Sequence, residues 1–430
     1  MKHLTLLLAV SLFHFPAPSQ TSFADSAALW FEDIKQVTRQ HRSLWNYDLY
    51  APILLVDPNT REVFSNAADS TGVLTQSGTV FTGILPTNIN IANTALHWGG
   101  VHWAMVMLPV PVDRNARNHL LSHELFHRAQ KELGFFSSNP ENNHLDKKDG
   151  RIYLRLELEA LKKAVLSPTR NELKKHIEHA LYFRKERQAI FPGADTTENM
   201  LELNEGLSEF TGFMMSGRES YDARKYLSGR LSAFISGTSF IRSFAYETIP
   251  VYGFLLNPDK KGWQREIRQN TNLTEFFNAA FQVPPSNRRR TQIASIAKDY
   301  NYDQVLAEET AREEKFQQQF AIYKALFIDS AHVEIPLIKM NMSFDYTLQF
   351  SMDTLGMIYP SIRITDNWGV LEASQGVLIN AGWSQANVSL PTSIEGSSIT
   401  GEGWTLKLNE GYVFQKNDES GNYIVKKEGD

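Results

Sequence analysis

His123-Glu124-Leu125-Phe126-His127 holds the residue types and the spacing with the most chemistry in this chain. At about 3.6 residues per turn, helix side chains four apart lie on one face. Two imidazoles so placed can grip one metal ion. Glu124 follows the first histidine directly, so it reaches a water on that ion without binding the ion itself. The competing reading is an amphipathic core helix that happens to carry two of the chain's 12 histidines.

A catalytic zinc keeps three protein ligands and one open position. The chain has no cysteine, so its ligands must be histidine and carboxylate. A third histidine six residues after His127 is lacking: Leu133 stands there, and Gln130 stands where a turn glycine would. A glutamate from a second helix is the alternative, and Asn204-Glu205-Gly206-Leu207-Ser208-Glu209 supplies one. Glu205 is the expected metal ligand. Glu209 shares its helix face and is expected to accept a hydrogen bond from the outer nitrogen of a liganding histidine. Glu202, one turn earlier, is a rival ligand. His119 completes a row with His123 and His127; a fourth protein ligand would close the site, so it is expected to pack or hydrogen-bond nearby. His176 and His179, on a lysine-rich stretch, read as a solvated face. His97 and His102 flank the strand before the motif and could line a cleft.

The two motifs together resemble the gluzincin metallopeptidases. Asn204-Glu205-x-x-Ser208-Glu209 is similar to the Asn-Glu-x-x-Ser-Asp signature of thermolysin-like enzymes, with Glu in place of the last Asp. Asn204-Glu205-Gly206-Leu207-Ser208-Glu209-Phe210 also resembles the Asn-Glu-Gly-Phe-Ala stretch of zinc aminopeptidases. The resemblance covers roughly residues 100–255, and both comparisons assign the metal to Glu205. It departs in spacing: 77 residues separate His127 from Glu205, far more than in either family. An insertion at 135–192, read as two helices, fills the gap. Phe244-Ala245-Tyr246-Glu247 resembles the aminopeptidase Tyr-Glu segment, which makes Tyr246 the expected oxyanion donor and Tyr252 the second candidate. The resemblance implies a Zn2+-dependent hydrolase of peptides or proteins with Glu124 as general base. It also implies that the strand 103–108 pairs with an extended substrate by edge addition.

The elements that must position these residues follow from periodicity and turn residues. A first helix is expected over 26–42. Strands are expected over 53–56, 62–64 and 101–108. The motif helix should run from Asp113 as cap to about Leu133, stopped by Gly134. Further helices are expected over 151–166, 170–189, 198–215, 221–236, 242–256, 273–280 and 303–327, with Pro168, Pro192, Pro258 and Pro284 between them. The mixed charges from Glu308 to Lys315 read as the wet face of a long helix. After Ala331, short alternating runs predict a small all-β region. The fold class is therefore α+β: a zincin-like catalytic region with a small N-terminal sheet (25–112) and a helical part (113–330), then a β-rich domain (331–430).

The 430 residues, at 42% hydrophobic and 21% charged, belong to an ordinary globular protein rather than a disordered or fibrous one. A net charge of -5 implies no polyanion partner, and Arg288-Arg289-Arg290 reads as a loop rather than a nucleic-acid patch. Lys2, the apolar run 4–13, Pro16 and Pro18, and Ser22-Phe23-Ala24 read as a secretory signal peptide over 1–24. The mature protein is then expected to be exported, periplasmic or extracellular, and not membrane-spanning. Two other functions fit the same residues: a zinc-binding protein that serves in binding or assembly, and a non-peptidase zinc hydrolase.

Overall fold

A computed structural model describes residues 23–284, 293–344 and 349–429. The expected signal peptide, apart from Phe23 and Ala24, and the arginine run 288–290 lie outside the described residues. The chain divides into two compact units, Met1–Glu309 and Thr310–Asp430.

The first unit begins with α1 (Phe23–Gln40) and continues into six strands: β1 (Ile53–Val56), β2 (Glu62–Ser65), β3 (Thr75–Ser77), β4 (Val80–Ile84), β5 (Thr94–Trp98) and β6 (Val101–Met107). They form one sheet in the order β3-β4-β2-β1-β6-β5. All pairs are antiparallel except β1 with β6, where Ile53 faces Ala104 and Val56 faces Met107. β1 is buried on both faces, which is why it reads as an unbroken apolar run. Ile53 and Leu55 join the helical core, whereas Leu54 and Val56 pack with Val63, Trp103 and Met105 on the other face. β5 and β6 are joined by Gly99-Gly100, whose φ values of 55° and 72° meet the demand of a tight primed hairpin turn.

This topology corrects the expected substrate strand. β6 has β1 on one side and β5 on the other, so it has no free edge. The free edge belongs to β5, whose alternation was too weak to mark it as a strand. β3 and β4 were also not anticipated.

The motif helix α2 (Arg114–Ala129) starts at the expected cap, where the Asp113 carboxylate accepts from the Ala116 N–H at 2.8 Å. It ends four residues before the expected Leu133. Residues 135–192 hold the two expected long helices, α3 (Lys148–Leu166) and α4 (Arg170–Ile190), packed on each other. The expected single helix 198–215 is α5 (Ala194–Leu201), one π-helical turn (Glu202–Gly206) and α6 (Leu207–Met215). Then come α7 (Ser220–Ile235), α8 (Ala245–Leu256), α9 (Leu273–Ala280), α10 (Ile293–Lys298) and α11 (Tyr302–Lys324).

The boundary between the units falls inside α11, not at the expected 330/331. Glu309 is buried and binds Arg151 at 2.7 Å and Arg155 at 2.8 Å on α3, and Arg155 also takes Glu308. The expected wet face is therefore partly an anchor in the first unit. Among the described residues the second unit is all-β apart from the rest of α11, a π turn and one short 3-10 turn: a seven-stranded and a six-stranded sheet share a core that includes Trp368, Trp404, Ile335 and Leu371. The protein is α+β. Among the described residues no helix is long and apolar enough to cross a membrane.

α2 packs against α6 through Gly212, where a Cβ would come within 2.6 Å of the His119 carbonyl oxygen. Gly212→Val should therefore push the two helices apart. Overpacking of this kind costs about 1–3 kcal/mol, so the urea midpoint should fall; an unchanged midpoint would contradict the close approach.

Candidate metal centre

α2 and the π turn bring His123, His127 and Glu205 together. Their nearest ligand atoms all lie within 4.8 Å of one another. His123 Nε2 is 3.0 Å from His127 Nε2, and Glu205 Oε2 is 3.1 Å from His127 Nε2 and 3.6 Å from His123 Nε2. Glu205 reaches this point because Gly206 lets the π turn approach α8: a Cβ there would sit 2.6 Å from an Ile249 methylene carbon. π turns of this kind often occur at functional sites.

The outer face of each imidazole is held by an acceptor. His123 Nδ1 is 2.9 Å from Glu209 Oε2. His127 Nδ1 is 2.9 Å from Gln130 Oε1. The Gln130 amide nitrogen donates to the Asn204 carbonyl at 2.9 Å, so its oxygen must face His127. Both histidines thus donate from Nδ1 and present Nε2 to the same point. Asn204 donates to Glu205 Oε1 at 3.0 Å, which leaves Oε2 toward the histidines. Two imidazole nitrogens and a carboxylate oxygen, all acceptors, converge without a thiolate. That donor set suits zinc with an open position, and a cation among them would relieve the repulsion of the converging acceptors.

A proton on His123 would supply such a charge when no metal is bound. Burial pulls His123 down, but hydrogen bonds to Glu205 and Glu209 outweigh it and push its pKa up to about 10. Burial likewise opposes ionisation of Glu205 and Glu209, yet the histidines, with Arg230 beside Glu209, hold both well below the usual carboxylate range. Glu209 is a hub. Arg230 of α7 donates to its Oε1, and His119 Nε2 lies 2.9 Å from the same atom. Arg230 also binds Glu247 and the Tyr246 carbonyl.

Glu124 is buried at the cleft, and its Oε2 has no hydrogen-bond partner among the described residues. Burial raises its pKa. The Tyr246 hydroxyl donates to Glu205 Oε2 at 2.5 Å, and its ring stacks on His123 at 5.6 Å. Burial and these carboxylates raise the Tyr246 pKa. His119, His123, Glu124, His127, Glu205 and Tyr246 line one cleft of about 620 Å³, together with Gln130, Asn204 and Glu209 and with Thr94 and Ala95 of β5; Arg230 and Glu247 stand behind it.

Several expected roles move. Glu202 is no ligand: Arg184 and Thr248 hold it, fully buried. Tyr252 is no oxyanion donor, because it is buried and bonds Glu157 at 2.9 Å. His176 and His179 are not a solvated face: both Nδ1 atoms lie 2.7 Å from the buried Tyr300 hydroxyl. His97 and His102 stack on each other at 3.9 Å and do not line the cleft. Gln130 and Arg230 were missed. Gln130 stands three residues after His127, a signal that helix geometry could have supplied; nothing local marks Arg230.

Comparison with protein-family models, curated proteins and solved structures finds no match to this chain.

The raised pKa of His123 has a pH consequence. Its contribution to the stability of the metal-free protein is complete below about pH 6.5 and is lost as pH rises through about 10. The stability gap between metal-free wild type and His123→Gln should shrink over that window, read by urea unfolding. Zinc affinity of the wild type should rise over the same window, because the metal displaces that proton. A widening gap would contradict the assignment.

Proposed function

We propose that this protein is a zinc-dependent peptidase of gluzincin type. The observation that carries the reading is Glu124: a buried carboxylate oxygen without a partner, at a cleft where two imidazoles and a second carboxylate converge. A site built only to hold a metal has no use for such a group.

His123, His127 and Glu205 would hold the ion. When bound, zinc supplies Lewis acidity that brings the pKa of a water toward ~7. Glu124 takes the proton of the attacking water and passes it to the leaving amine; its raised pKa suits it to hold that proton between the steps. Tyr246 stays protonated and donates to the carbonyl oxygen as charge develops there.

The free edge of β5, with Thr94 and Ala95 at the cleft, suits an extended peptide backbone. No lysine or arginine lines the cleft among the described residues, and Glu205 and Glu209 are already engaged. Apart from Glu124, taken here as the base, no charged side chain of the cleft is left over to anchor a chain terminus, which favours cleavage within a chain over trimming at its ends. Export to the periplasm or outside the cell remains part of this proposal, resting on the N-terminal sequence alone.

Glu124→Gln should keep stoichiometric zinc and lose all cleavage of casein or a peptide library. Tyr246→Phe should lower kcat by about 10²–10³-fold, the usual cost of one oxyanion donor. Zinc-loaded wild type that cleaves no peptide would contradict the peptidase reading.

A further inference from the structure

The long insertion between His127 and Glu205 does more than fill space. It supplies three of five charged side chains in a buried chain of ion pairs that starts and ends on the helix leading to Glu205. Arg184 of α4 grips Glu202 with both terminal nitrogens, at 2.9 and 2.6 Å, and donates from Nε to Glu157 of α3 at 2.8 Å. Arg187 of α4 binds the other Glu157 oxygen at 2.7 Å and grips Glu198 at 2.6 and 2.8 Å. Glu198 and Glu202 stand four apart on α5 and the π turn, so the chain of pairs begins and ends on the same helix. Its side chains are 0–1% exposed. Thr248 of α8 adds a hydrogen bond to Glu202 Oε1 at 2.6 Å.

Burying five charges is a poor way to gain stability, since apolar side chains of the same volume often do as well or better. Paired guanidinium–carboxylate contacts fix position and direction instead. Here the position fixed is that of Glu202, three residues before the third ligand on the same π turn. π turns are rare and often occur at functional sites, and this one is held from outside by Arg184 and Thr248.

Resting on the metal reading above, we propose that the insertion is a positioning device for the metal centre: Arg184, through Glu202 and helped by Thr248, sets the place of Glu205. Arg184 and Glu202 touch neither substrate nor metal; they act through Glu205.

The test measures zinc affinity by chelator competition, with backbone amide exchange over 202–206 in the metal-free protein. The variants are Glu202→Gln and the milder Thr248→Val, with Val63→Ala as a control for general destabilisation from the far side of the sheet. Each is measured below its own unfolding range. Glu202→Gln should bind zinc about 10–100-fold more weakly, the usual effect of losing support behind a ligand. Thr248→Val should weaken it several-fold, and both should speed exchange over 202–206. Val63→Ala should keep wild-type affinity even where its Tm falls as far. If Glu202→Gln does not fold, Thr248→Val decides. Wild-type affinity in the Glu202 and Thr248 variants, or an equal loss in Val63→Ala, overturns the proposal. Wild type that binds no zinc overturns the metal reading itself, and this inference with it.

Discussion

Three hydrogen-bond acceptors meeting within about 3–4 Å is the constraint on which the rest of the molecule depends. Such a convergence is repulsive unless a cation sits among them. Everything near it can be understood as holding the acceptors there. Glu209 and Gln130 fix which nitrogen each histidine presents, Asn204 fixes which oxygen Glu205 presents, and Arg230 keeps Glu209 charged. The Glu205 and Glu209 contacts that raise the His123 pKa favour a proton there when metal is missing.

The scaffold serves this arrangement from three directions. α2 carries both histidines on one face and, next to the first, Glu124, the proposed base. The interrupted helix α5–π–α6 carries Glu205, the proposed third ligand, on its π turn and Glu209, the acid behind His123, on α6. α8 gives Tyr246 on one side of that turn and Thr248 on the other. Gly212 and Gly206 mark where these helices come closest, and in each place a methyl group would collide.

Much of this was legible in the sequence because it is local. The His123–His127 spacing, the Asn204–Glu209 motif and the helix boundaries marked by Asp113 and the prolines depend only on periodicity and turn chemistry. Helices 170–189 and 273–280 fall within a residue of their observed ends. What escaped was long-range or depended on pairing. β5 reads as a strand only once it is paired with β6, and only the sheet order shows that it, not β6, has the free edge. Glu202 looked like a ligand because charge and helical position are local properties; the guanidinium that claims it lies 18 residues upstream. Arg230 and the roles of Tyr252 and Tyr300 are set by contacts across the fold. The π turn has no residue signature, and the all-helical reading of 198–215 passed over it.

The central claim is that one zinc ion sits between α2 and the π turn. Crystals of the zinc-loaded protein, with anomalous scattering recorded on both sides of the zinc edge, test it most directly. The account predicts one strong peak about 2.0–2.1 Å from both Nε2 atoms of His123 and His127 and about 2.0–2.2 Å from a Glu205 oxygen. A peak held by other residues, or none between these helices, would contradict it.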